Sequence, residues 1–401
     1  MVATTPSFVT QRLAALRDAE LFRDPPTVDY IHGVAGSVQG RKATILCSND
    51  YLGLRLDPRI RAASAEAANA YGAGAGSSRL IAGSLPLHDA FEEELADWMG
   101  TNAALLCSSG YQANLAMLGA LPARGDLVAS DALNHASLID GCRLSRATIR
   151  RVPHADVDSM RAAFDSALDA YADASECFLL GEGLYSMDGD RGPVAAWSRI
   201  AEDTGAHFLL DEAHALGVLG PHGRGAWAEA SVEEDDLPTP LARVGTFGKA
   251  FGAHGAFIAT CASTRELLVN AGRTFVFSTA LPPPVIGAAR AALAIIRSDE
   301  GAERRDRVIR LSERLAVGAR DLGFSLASFD CARPTPIVPI VFGTPGKAQA
   351  VARHLLDHGL YAKAIRPPTV PEGTSRIRFA LSANHTEAHV DAALAALSTA
   401  V

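Results

Sequence analysis

The chain has 401 residues and a formal net charge of -8, and 48% of its residues are hydrophobic while 20% are charged. This length exceeds what one hydrophobic core usually serves, so we expect two domains, and the ordinary composition argues against a disordered chain. Lys and Arg form no long basic run, so we do not expect binding to nucleic acid. No apolar stretch reaches membrane-spanning length, so we expect a cytoplasmic protein that does not bind a membrane. The six cysteines contain no CxxC pair, so we expect reduced thiols and no metal site.

The first part of the chain, residues 1–49, is predicted to be an N-terminal arm. The spacing of Leu13, Leu16 and Leu21 places them along one helix, which the segment Asp24-Pro25-Pro26 should end. We interpret the residues that follow as a connector.

Residues 50–282 are predicted to form a large α/β domain. Short apolar runs alternate there with helical patterns, such as the stripe of Phe91, Leu95 and Trp98. This alternation is typical of a layered structure with a mainly parallel sheet. The predicted strands lie at residues 105–107, 126–130, 149–152, 177–180, 207–211, 243–246 and 256–260.

After Pro282-Pro283-Pro284 the pattern changes, and residues 283–401 are predicted to form a smaller α+β domain. Apolar residues with helical or strand periodicity mark its elements. Helices are expected near residues 303–322, 348–358 and 387–397, and strands near residues 337–342 and 377–381.

Polar residues follow the ends of five predicted strands. Open α/β sheets bind ligands beyond the C-terminal ends of their strands, so polar groups from five strands favour one shared site. The groups are Ser109-Gly110, His135, Glu182 with Ser186, Asp211 with His214, and Thr246 with Lys249.

Lys249 and Asp211 indicate the chemistry of this site. Lys249 lies among small and apolar residues, and an amine removed from water can act as the nucleophile that forms a Schiff base. A carboxylate at Asp211 could keep a pyridinium nitrogen protonated and so make its ring an electron sink. Taken singly, each has a plainer interpretation: a surface lysine in a loop, and a helix cap or buried ion pair.

Three short motifs leave other interpretations open. Gly110 precedes a predicted helix whose free amides could attract a phosphate, although Ser109 could equally be a routine helix cap. The glycine-rich residues 72–79 lack GxGxxG spacing and fit a tight loop near a ligand better than a dinucleotide site. Residues 211–214 spell DEAH, but no GxxxxGK[ST] loop accompanies them, so an NTPase is a distant alternative.

These segments together resemble the α-oxoamine synthases, a branch of the fold-type I enzymes that use pyridoxal 5′-phosphate (PLP). The resemblance extends over nearly the whole chain. Its segments are Ser48-Asn49-Asp50-Tyr51-Leu52-Gly53-Leu54, Gly74-Ala75-Gly76-Ser77-Ser78-Arg79, Asn134-His135-Ala136-Ser137, Tyr185-Ser186-Met187-Asp188-Gly189-Asp190 and Thr246-Phe247-Gly248-Lys249.

The resemblance implies an α/β, fold-type I PLP-dependent transferase and a role for each matching residue. It implies a Schiff base at Lys249, stacking of His135 on the cofactor ring and pairing of Asp211 with the ring nitrogen, and these three residues are the predicted catalytic set. The resemblance implies that Ser109, Gly110, Tyr111 and Thr246 bind the phosphate and that Ser186 and His214 contact the ring hydroxyl. Glu182 is also among the predicted cofactor-binding residues. Ser278 and Thr279 would reach the phosphate of the neighbouring subunit in a homodimer. The predicted substrate-binding residues are Arg366 for the amino-acid carboxylate, Arg23, Asn49 and Thr369 for the acyl side, and His135.

Within the family, residues 364–371 (Ala-Ile-Arg-Pro-Pro-Thr-Val-Pro) are most similar to the branch that condenses L-alanine with a pimeloyl thioester in biotin biosynthesis. The implied products are 8-amino-7-oxononanoate, CO₂ and the free thiol. The alternatives are another α-oxoamine synthase, which would use glycine or serine and a different acyl-CoA, and a non-catalytic partner subunit, which the presence of Lys249 disfavours. The sequence does not choose between coenzyme A and a carrier protein as the thiol.

The chain also departs from the family pattern after Asp211. The family commonly has Asp-Asp-Ala-His-Gly, whereas Glu212 and Ala215 stand here for the second Asp and the Gly. Asp211 and His214 are kept, but the geometry of the loop that follows them is left open by the sequence.

Overall fold

The computed structural model describes residues 5–19, 21–170 and 176–400 of the chain. Its helices are α1 (Ser7–Asp18), α2 (Pro58–Tyr71), α3 (Pro86–Met99), α4 (Gly110–Ala120), α5 (Ala136–Ser145), α6 (Val157–Ala170), α7 (Val194–Thr204), α8 (Ala226–Glu233), α9 (Ala262–Ala271), α10 (Arg273–Val276), α11 (Pro283–Ile296), α12 (Asp299–Asp321), α13 (Pro345–Asp357) and α14 (Glu387–Leu397).

The strands are short, as expected for an α/β protein. They are β1 (Val28–His32), β2 (Ala35–Val38), β3 (Arg41–Ile45), β4 (Ala103–Cys107), β5 (Leu127–Asp131), β6 (Thr148–Val152), β7 (Cys177–Glu182), β8 (His207–Asp211), β9 (Ala242–Thr246), β10 (Ala256–Thr260), β11 (Ser325–Leu326), β12 (Ile337–Gly343), β13 (Leu360–Tyr361), β14 (Lys363–Ile365) and β15 (Ser375–Ala380).

Residues 49–310 form one compact unit around a seven-stranded sheet. The strand order is β4-β10-β9-β8-β7-β5-β6, and β10 alone runs antiparallel to both of its neighbours. The prediction of a mainly parallel sheet is therefore confirmed. Because the parallel strands all point the same way, the loops that follow them emerge at one edge of the sheet.

Two helices of this unit begin at that edge and are capped by polar side chains. Ser109 accepts a hydrogen bond from the Gln112 amide at 3.2 Å and caps α4, which buries Ala113, Ala116 and Met117 in the core on the sheet. His135 caps α5 in the same way. A side-chain acceptor at the first position satisfies an amide that the helix itself cannot use, so these residues fix where each helix begins.

The described residues among 1–48 and 311–401 form a second compact unit. It contains the sheets β1-β2-β3-β13 and β11-β12-β15-β14. The C-terminal strands and helices predicted from periodicity are all present within a few residues of their expected bounds.

The N-terminal arm differs from its prediction. Helix α1 ends at Asp18, so Leu21 lies beyond it, and the predicted connector is instead the antiparallel meander β1-β2-β3. Strand β3 pairs with β13, and the Leu46 amide donates to the Tyr361 carbonyl at 2.8 Å. Through these hydrogen bonds the N-terminal arm, which was predicted as a separate segment of residues 1–49, belongs to the same unit as the C-terminal residues.

The division between the units also differs from the boundary predicted at residue 283. It falls between residues 310 and 311, inside the long helix α12. Helix α11 packs against α2 and α3 in residues 49–310, because its apolar face, including Ile286, Ala289 and Leu293, needs that cover. Among the described residues, no helix is both long and apolar enough to cross a membrane.

Candidate functional site

A cavity of about 180 Å³ lies at the edge of the seven-stranded sheet where the parallel strands end. Each of its walls begins at the end of a strand or in the helix that follows. The lining residues are Gly110, Tyr111, Asn114, His135, Ser137, Glu182, Asp211, Ala213, His214, Thr246 and Lys249. The structure thus brings together at least one residue from each of the five groups that the sequence singled out.

Lys249 lies in the loop that joins β9 to its antiparallel neighbour β10. Phe247 and Phe251 on either side of it are fully buried, and their rings pack 5.2 Å apart. Bonds within the loop hold its shape: the Gly252 amide donates to the Lys249 carbonyl at 2.8 Å. The lysine is therefore fixed to the sheet and lines the cavity, as its apolar flanks suggested.

Asp211 ends β8 and is almost wholly buried. Its two carboxylate oxygens have different donors. Asn114 Nδ2 donates to Asp211 Oδ2 at 2.7 Å, and the Ala213 amide donates to Oδ1 at 2.8 Å. Hydrogen bonds of this kind stabilise the ionised form of a carboxyl group and fix its orientation.

His135 reaches the cavity from the start of α5. Its Nδ1 accepts a hydrogen bond from the Ser137 amide at 3.2 Å, and Ser137 Oγ lies 2.7 Å from the same nitrogen. Burial lowers the pKa of this imidazole, against the opposing influence of the Asp211 charge. The ring is therefore neutral near pH 7, and its proton resides on Nε2, because Nδ1 acts as an acceptor.

Glu182 stands at the end of β7, opposite Asp211 in the register of β7 and β8. Its carboxylate accepts the main-chain amide of His135. Burial, and next the charge of Asp211, raise the pKa of Glu182 well above its ordinary value. A second anion beside Asp211 is costly at such depth, so this shift favours the protonated form of Glu182.

His214 completes the wall beyond β8. Its Nδ1 lies 2.7 Å from the hydroxyl of Tyr51, and that hydroxyl lies 3.3 Å from Asn49 Oδ1. Asn49, predicted for the acyl side, is thus connected to the cavity through Tyr51 without lining it.

The predicted phosphate-binding residues cluster at the start of α4. Gly110 faces Thr246, and a Cβ built on this glycine would come within 3.7 Å of Thr246 Cβ, inside the cavity. Thr246 Oγ1 donates to the Gly255 carbonyl at 3.0 Å and accepts from the Gly248 amide at 3.2 Å. Tyr111 also lines the cavity and donates its hydroxyl hydrogen to Asp140, whereas Ser109 lies behind it as the helix cap.

Besides Ser109, three predicted cofactor residues lie outside the wall of the cavity. Ser186 is in the loop after β7. Ser278 and Thr279 are in the segment after α10, where Ser278 Oγ accepts from Gln112 Nε2 at 3.1 Å and Thr279 bridges to Ser78. Within one chain these residues do not reach the cavity, and their predicted contact with a neighbouring subunit stays a prediction.

The remaining predicted substrate residues line a larger cavity, of about 720 Å³, in the unit formed by residues 1–48 and 311–401. Arg23 Nη2 donates to Thr369 Oγ1 at 3.3 Å, and Arg366 Nη2 donates to the Phe22 carbonyl at 2.8 Å. The three side chains predicted for the amino-acid and acyl groups are thus neighbours in one basic cavity.

Three residues of the site were missed in the sequence. Asn114 orients Asp211, Ser137 bonds His135, and Tyr51 bonds His214. Tyr51 and Ser137 stand inside segments that carry the family resemblance, which was the available signal. Asn114 had a weaker one: it is four residues after Gly110, hence on the same face of a helix.

The departure at Glu212 has a structural explanation. Its carboxylate accepts the amides of Ala226 at 2.8 Å and Trp227 at 3.0 Å and so caps α8, while its own backbone continues β8 by bonding to Val244. Ala215 is fully buried, and its amide bonds to the Glu212 carbonyl at 2.9 Å. With Glu212 and Ala215 at these positions, Asp211 and His214 still line the cavity.

The chain matches the family described as aminotransferase class I and II over residues 41–397. It is 46% identical to an 8-amino-7-oxononanoate synthase of Anaeromyxobacter dehalogenans over 391 residues, which are 98% of this chain and 94% of that protein.

Solved structures extend the similarity to the fold. Sphingomonas wittichii serine palmitoyltransferase superposes with a TM-score of 0.89 at 32% identity, over 98% of this chain and 96% of that one. A structure of SPT with a PLP internal aldimine gives the same TM-score at 30% identity, again over 98% and 96%. The fold-type I prediction is confirmed by these neighbours.

Proposed function

The chain belongs to the aminotransferase class I and II family, and on that premise we propose that it condenses L-alanine with a pimeloyl thioester to give 8-amino-7-oxononanoate, CO₂ and the free thiol. Together with the similarity to 8-amino-7-oxononanoate synthases, this membership makes it a PLP-dependent acyltransferase. The observation that supports the proposal most directly is the single cavity that contains Lys249, Asp211 and His135.

The residues of the cavity fit PLP. Lys249 would supply the amine for its aldehyde, and the buried Asp211 would supply a carboxylate for its pyridinium nitrogen. The free main-chain amides at the start of α4 would bind its phosphate. Gly110 leaves open the space that a side chain would fill. Within the described residues, Asn114 Oδ1 is buried in this wall without a hydrogen-bond partner, a polar atom left for a bound group.

Bound PLP supplies an electron sink that stabilises negative charge at the amino-acid Cα. The protein's own contribution begins with Lys249, whose Nζ, once the amine of the amino acid has displaced it from the aldehyde, would take the Cα proton as a general base. Asn114 and the Ala213 amide donate to Asp211 and fix its orientation, so its carboxylate would hold a proton on the pyridinium nitrogen. The raised pKa of Glu182 favours its protonated form, which would add no second negative charge to compete with Asp211.

Neutral His135 is suited to a packing role and to donating from Nε2. The Ser137 amide fixes its tautomer, and the Glu182 carboxyl fixes its main chain. A ring that is both neutral and held at two points can cover one face of a bound ring without adding charge. We assign it to the cofactor face on this basis.

Arg366, Arg23 and Thr369 are proposed to bind the carboxylate groups of the two substrates. A guanidinium fork holds a carboxylate in a fixed plane, which suits both the amino acid and the free carboxylate at the end of a pimeloyl chain. Their shared cavity of about 720 Å³ is large enough for an extended acyl chain.

A second candidate is a synthase that uses serine or glycine with another acyl-CoA. The observation that favours it is the TM-score of 0.89 to serine palmitoyltransferase, a protein that shares 32% of the aligned residues. The 46% identity to 8-amino-7-oxononanoate synthase favours the alanine reaction.

We further propose that the active form is a homodimer. Ser278 and Thr279 adjoin Phe277, which is 73% exposed, and Thr279 bridges to the segment that contains Ile81, which is 80% exposed. Large apolar side chains exposed together are typical of an interface. A second chain that covered them would bring Ser278 and Thr279 near its own cavity, as the family resemblance implies.

The decisive experiment is a substrate panel on the PLP-loaded protein. Visible spectra are recorded after addition of L-alanine, glycine or L-serine, and CO₂ release is then measured with pimeloyl-CoA and palmitoyl-CoA. We expect CO₂ release with L-alanine and pimeloyl-CoA at least about tenfold faster than with any other pair, the discrimination that one methyl group commonly supports. Faster release with serine and palmitoyl-CoA would establish the second candidate instead.

A further inference from the structure

His154 lies outside the cavity, in the short loop between β6 and α6, and bridges two carboxylates. Its Nδ1 is 2.9 Å from Asp131 Oδ1, and its Nε2 is 2.7 Å from Asp190 Oδ2. Only 20% of the His154 side chain is exposed, 12% of that of Asp190 and none of that of Asp131. Since ionised carboxylates only accept, both ring nitrogens must donate, and the ring must carry a positive charge.

The electrostatics agree with that charge. Burial opposes it, but the hydrogen bonds and negative charges of Asp131 and Asp190 prevail and raise the pKa of His154 to about 10. The ring of Tyr185 packs edge-on against the imidazole, with centroids 4.5 Å apart, and Tyr185 is buried. At neutral pH this is a buried, charged bridge.

One end of the bridge is connected to His135. Asp131 ends β5, four residues before His135, and its carboxylate also accepts the Leu133 amide at 2.8 Å. The turn from β5 into α5, which sets the direction of the His135 side chain, is therefore built on the carboxylate that His154 holds.

The other end of the bridge is attached to the loop that carries Ser186, through the Asp190 side chain. The amide of Tyr185 donates to the Asp190 carbonyl at 2.9 Å, and the Gly189 amide donates to the Tyr185 carbonyl at 3.0 Å. Ser186 lies inside this closed loop, so the position of Asp190 fixes the position of Ser186.

The backbone next to His154 is strained in a way that serves the bridge. Ala155 has a φ of +53°, a left-handed conformation that a residue with a Cβ rarely adopts. Its amide donates to Asp131 Oδ2 at 2.8 Å. Strain of this kind persists only where the surrounding contacts enforce it, and here they turn His154 between its two partners.

We propose that His154 is a positioning residue for the cofactor site, because its imidazolium joins Asp131 to Asp190 and thereby holds the two loops that present His135 and Ser186. It does not line the cavity. The inference rests on the PLP site proposed above, and it adds a third loop, between β6 and α6, to the parts of the chain that shape that site.

The test measures PLP binding to apo-protein rather than turnover. Wild type is compared with His154→Gln, which removes the charge, and with Asp190→Asn, which removes one carboxylate and leaves the pair of His154 and Asp131. His207→Gln is the matched control, because His207 pairs with Glu176 at 2.8 Å at the opposite end of β8. The readouts are the PLP dissociation constant, the wavelength of the visible band of bound PLP, and the far-UV circular dichroism of each apo-protein.

We expect His154→Gln to keep the circular dichroism of wild type, to raise the PLP dissociation constant by at least about tenfold and to shift the visible band, as loss of an outer support commonly does. Asp190→Asn should raise the PLP dissociation constant less, and His207→Gln should behave as wild type.

A His154→Gln protein with the PLP dissociation constant and visible band of wild type would overturn the inference. If that variant does not fold, Asp190→Asn decides in the same way: unchanged binding overturns the inference and weakened binding supports it. A wild-type protein that fails to bind PLP would overturn the proposed function itself, which separates the two failures.

Discussion

Glu182 and Asp211 stand directly opposite each other on the neighbouring strands β7 and β8, and both carboxyl groups line the same cavity. Two buried like charges on neighbouring strands repel, which favours the neutral form of one of them. Asp211 accepts two hydrogen bonds, whereas burial, and next the charge of Asp211, raise the pKa of Glu182. We therefore expect Glu182 to be the neutral member of the pair.

This division predicts how substitutions at Glu182 behave. Glu182→Gln copies the neutral acid and still accepts the His135 amide, so PLP affinity and kcat should stay within about threefold of wild type. Glu182→Ala removes the acceptor of a buried amide, a loss of about 1–3 kcal/mol, and should weaken PLP binding about tenfold or more. PLP titration and steady-state kinetics at pH 7 check both, and equal damage from the two variants would contradict a neutral Glu182.

Lys249 is predicted to be required for covalent attachment of the cofactor and for proton removal. Lys249→Ala should lose the visible band of the imine and lower turnover by at least about 10³-fold, since the nucleophile and the base are removed together. Lys249→Arg, which keeps the positive charge, should lose both as well. A visible spectrum and CO₂ release are the measurements, and activity retained in either variant would exclude Lys249 from this role.

Asp211→Asn should leave the cofactor attached and yet slow the reaction. Lys249 still reaches the aldehyde, but an amide cannot keep the ring nitrogen protonated, so kcat should fall by about 10²-fold or more. Asp203→Asn, which alters an exposed pair with Arg161, is the control. Normal turnover by an Asp211→Asn protein that binds PLP would remove the electrostatic role of this carboxylate.

The bridge at His154 predicts a dependence of stability on alkaline pH. The pKa of His154 is about 10 in the folded chain, whereas the ordinary value of a histidine is 6.5. A raised pKa stabilises the fold fully below pH 6.5, and this stabilisation is lost as the pH rises toward 10. The groups that face the ring are Asp131 and Asp190, which bond it, and Tyr185, which packs against it.

Melting temperatures of wild type and His154→Gln, measured from pH 6 to pH 10.5, check this dependence. The gap between the two proteins should be widest at pH 6 and close as the imidazolium deprotonates, while titrations common to both cancel. A gap that stays constant over the range would show that the ring is not charged in the folded protein.

The sequence predicts the large sheet well because its strands are buried runs followed by polar residues. Strand β8, for example, reads His-Phe-Leu-Leu-Asp, and its polar last residue marks the edge of the site. Because that pattern reflects burial and chain direction, the sequence alone predicts that Asp211 and Lys249 lie at this edge.

The meander β1-β2-β3 could not be predicted in the same way. Strand β2 reads Ala-Gly-Ser-Val, in which only the valine favours strands, and it forms because its neighbours pair with it on both sides. A Cβ at Gly36 would lie 2.3 Å from the Asp29 carbonyl oxygen, so this glycine permits a close approach of two backbones. This need for close approach arises from tertiary contacts, and its only sign in the sequence is the glycine itself.

The supporting side chains of the site were hidden for a related reason. Asn114 meets Asp211 because α4 packs across the sheet, and the two residues are 97 positions apart in the chain. Periodicity shows which face of a helix is buried, but it does not show which strand that face will meet.

The antiparallel direction of β10 has a consequence for the reacting amine. Lys249 occupies a connection whose two ends, at Thr246 and Ala256, are paired across adjacent strands of one sheet. A loop clamped at both ends cannot absorb a change in its length by sliding, so one added residue before Lys249 would displace the amine by up to roughly 3 Å, more than the tolerance for bond formation. Insertions there should abolish imine formation even though every side chain of the cavity is retained.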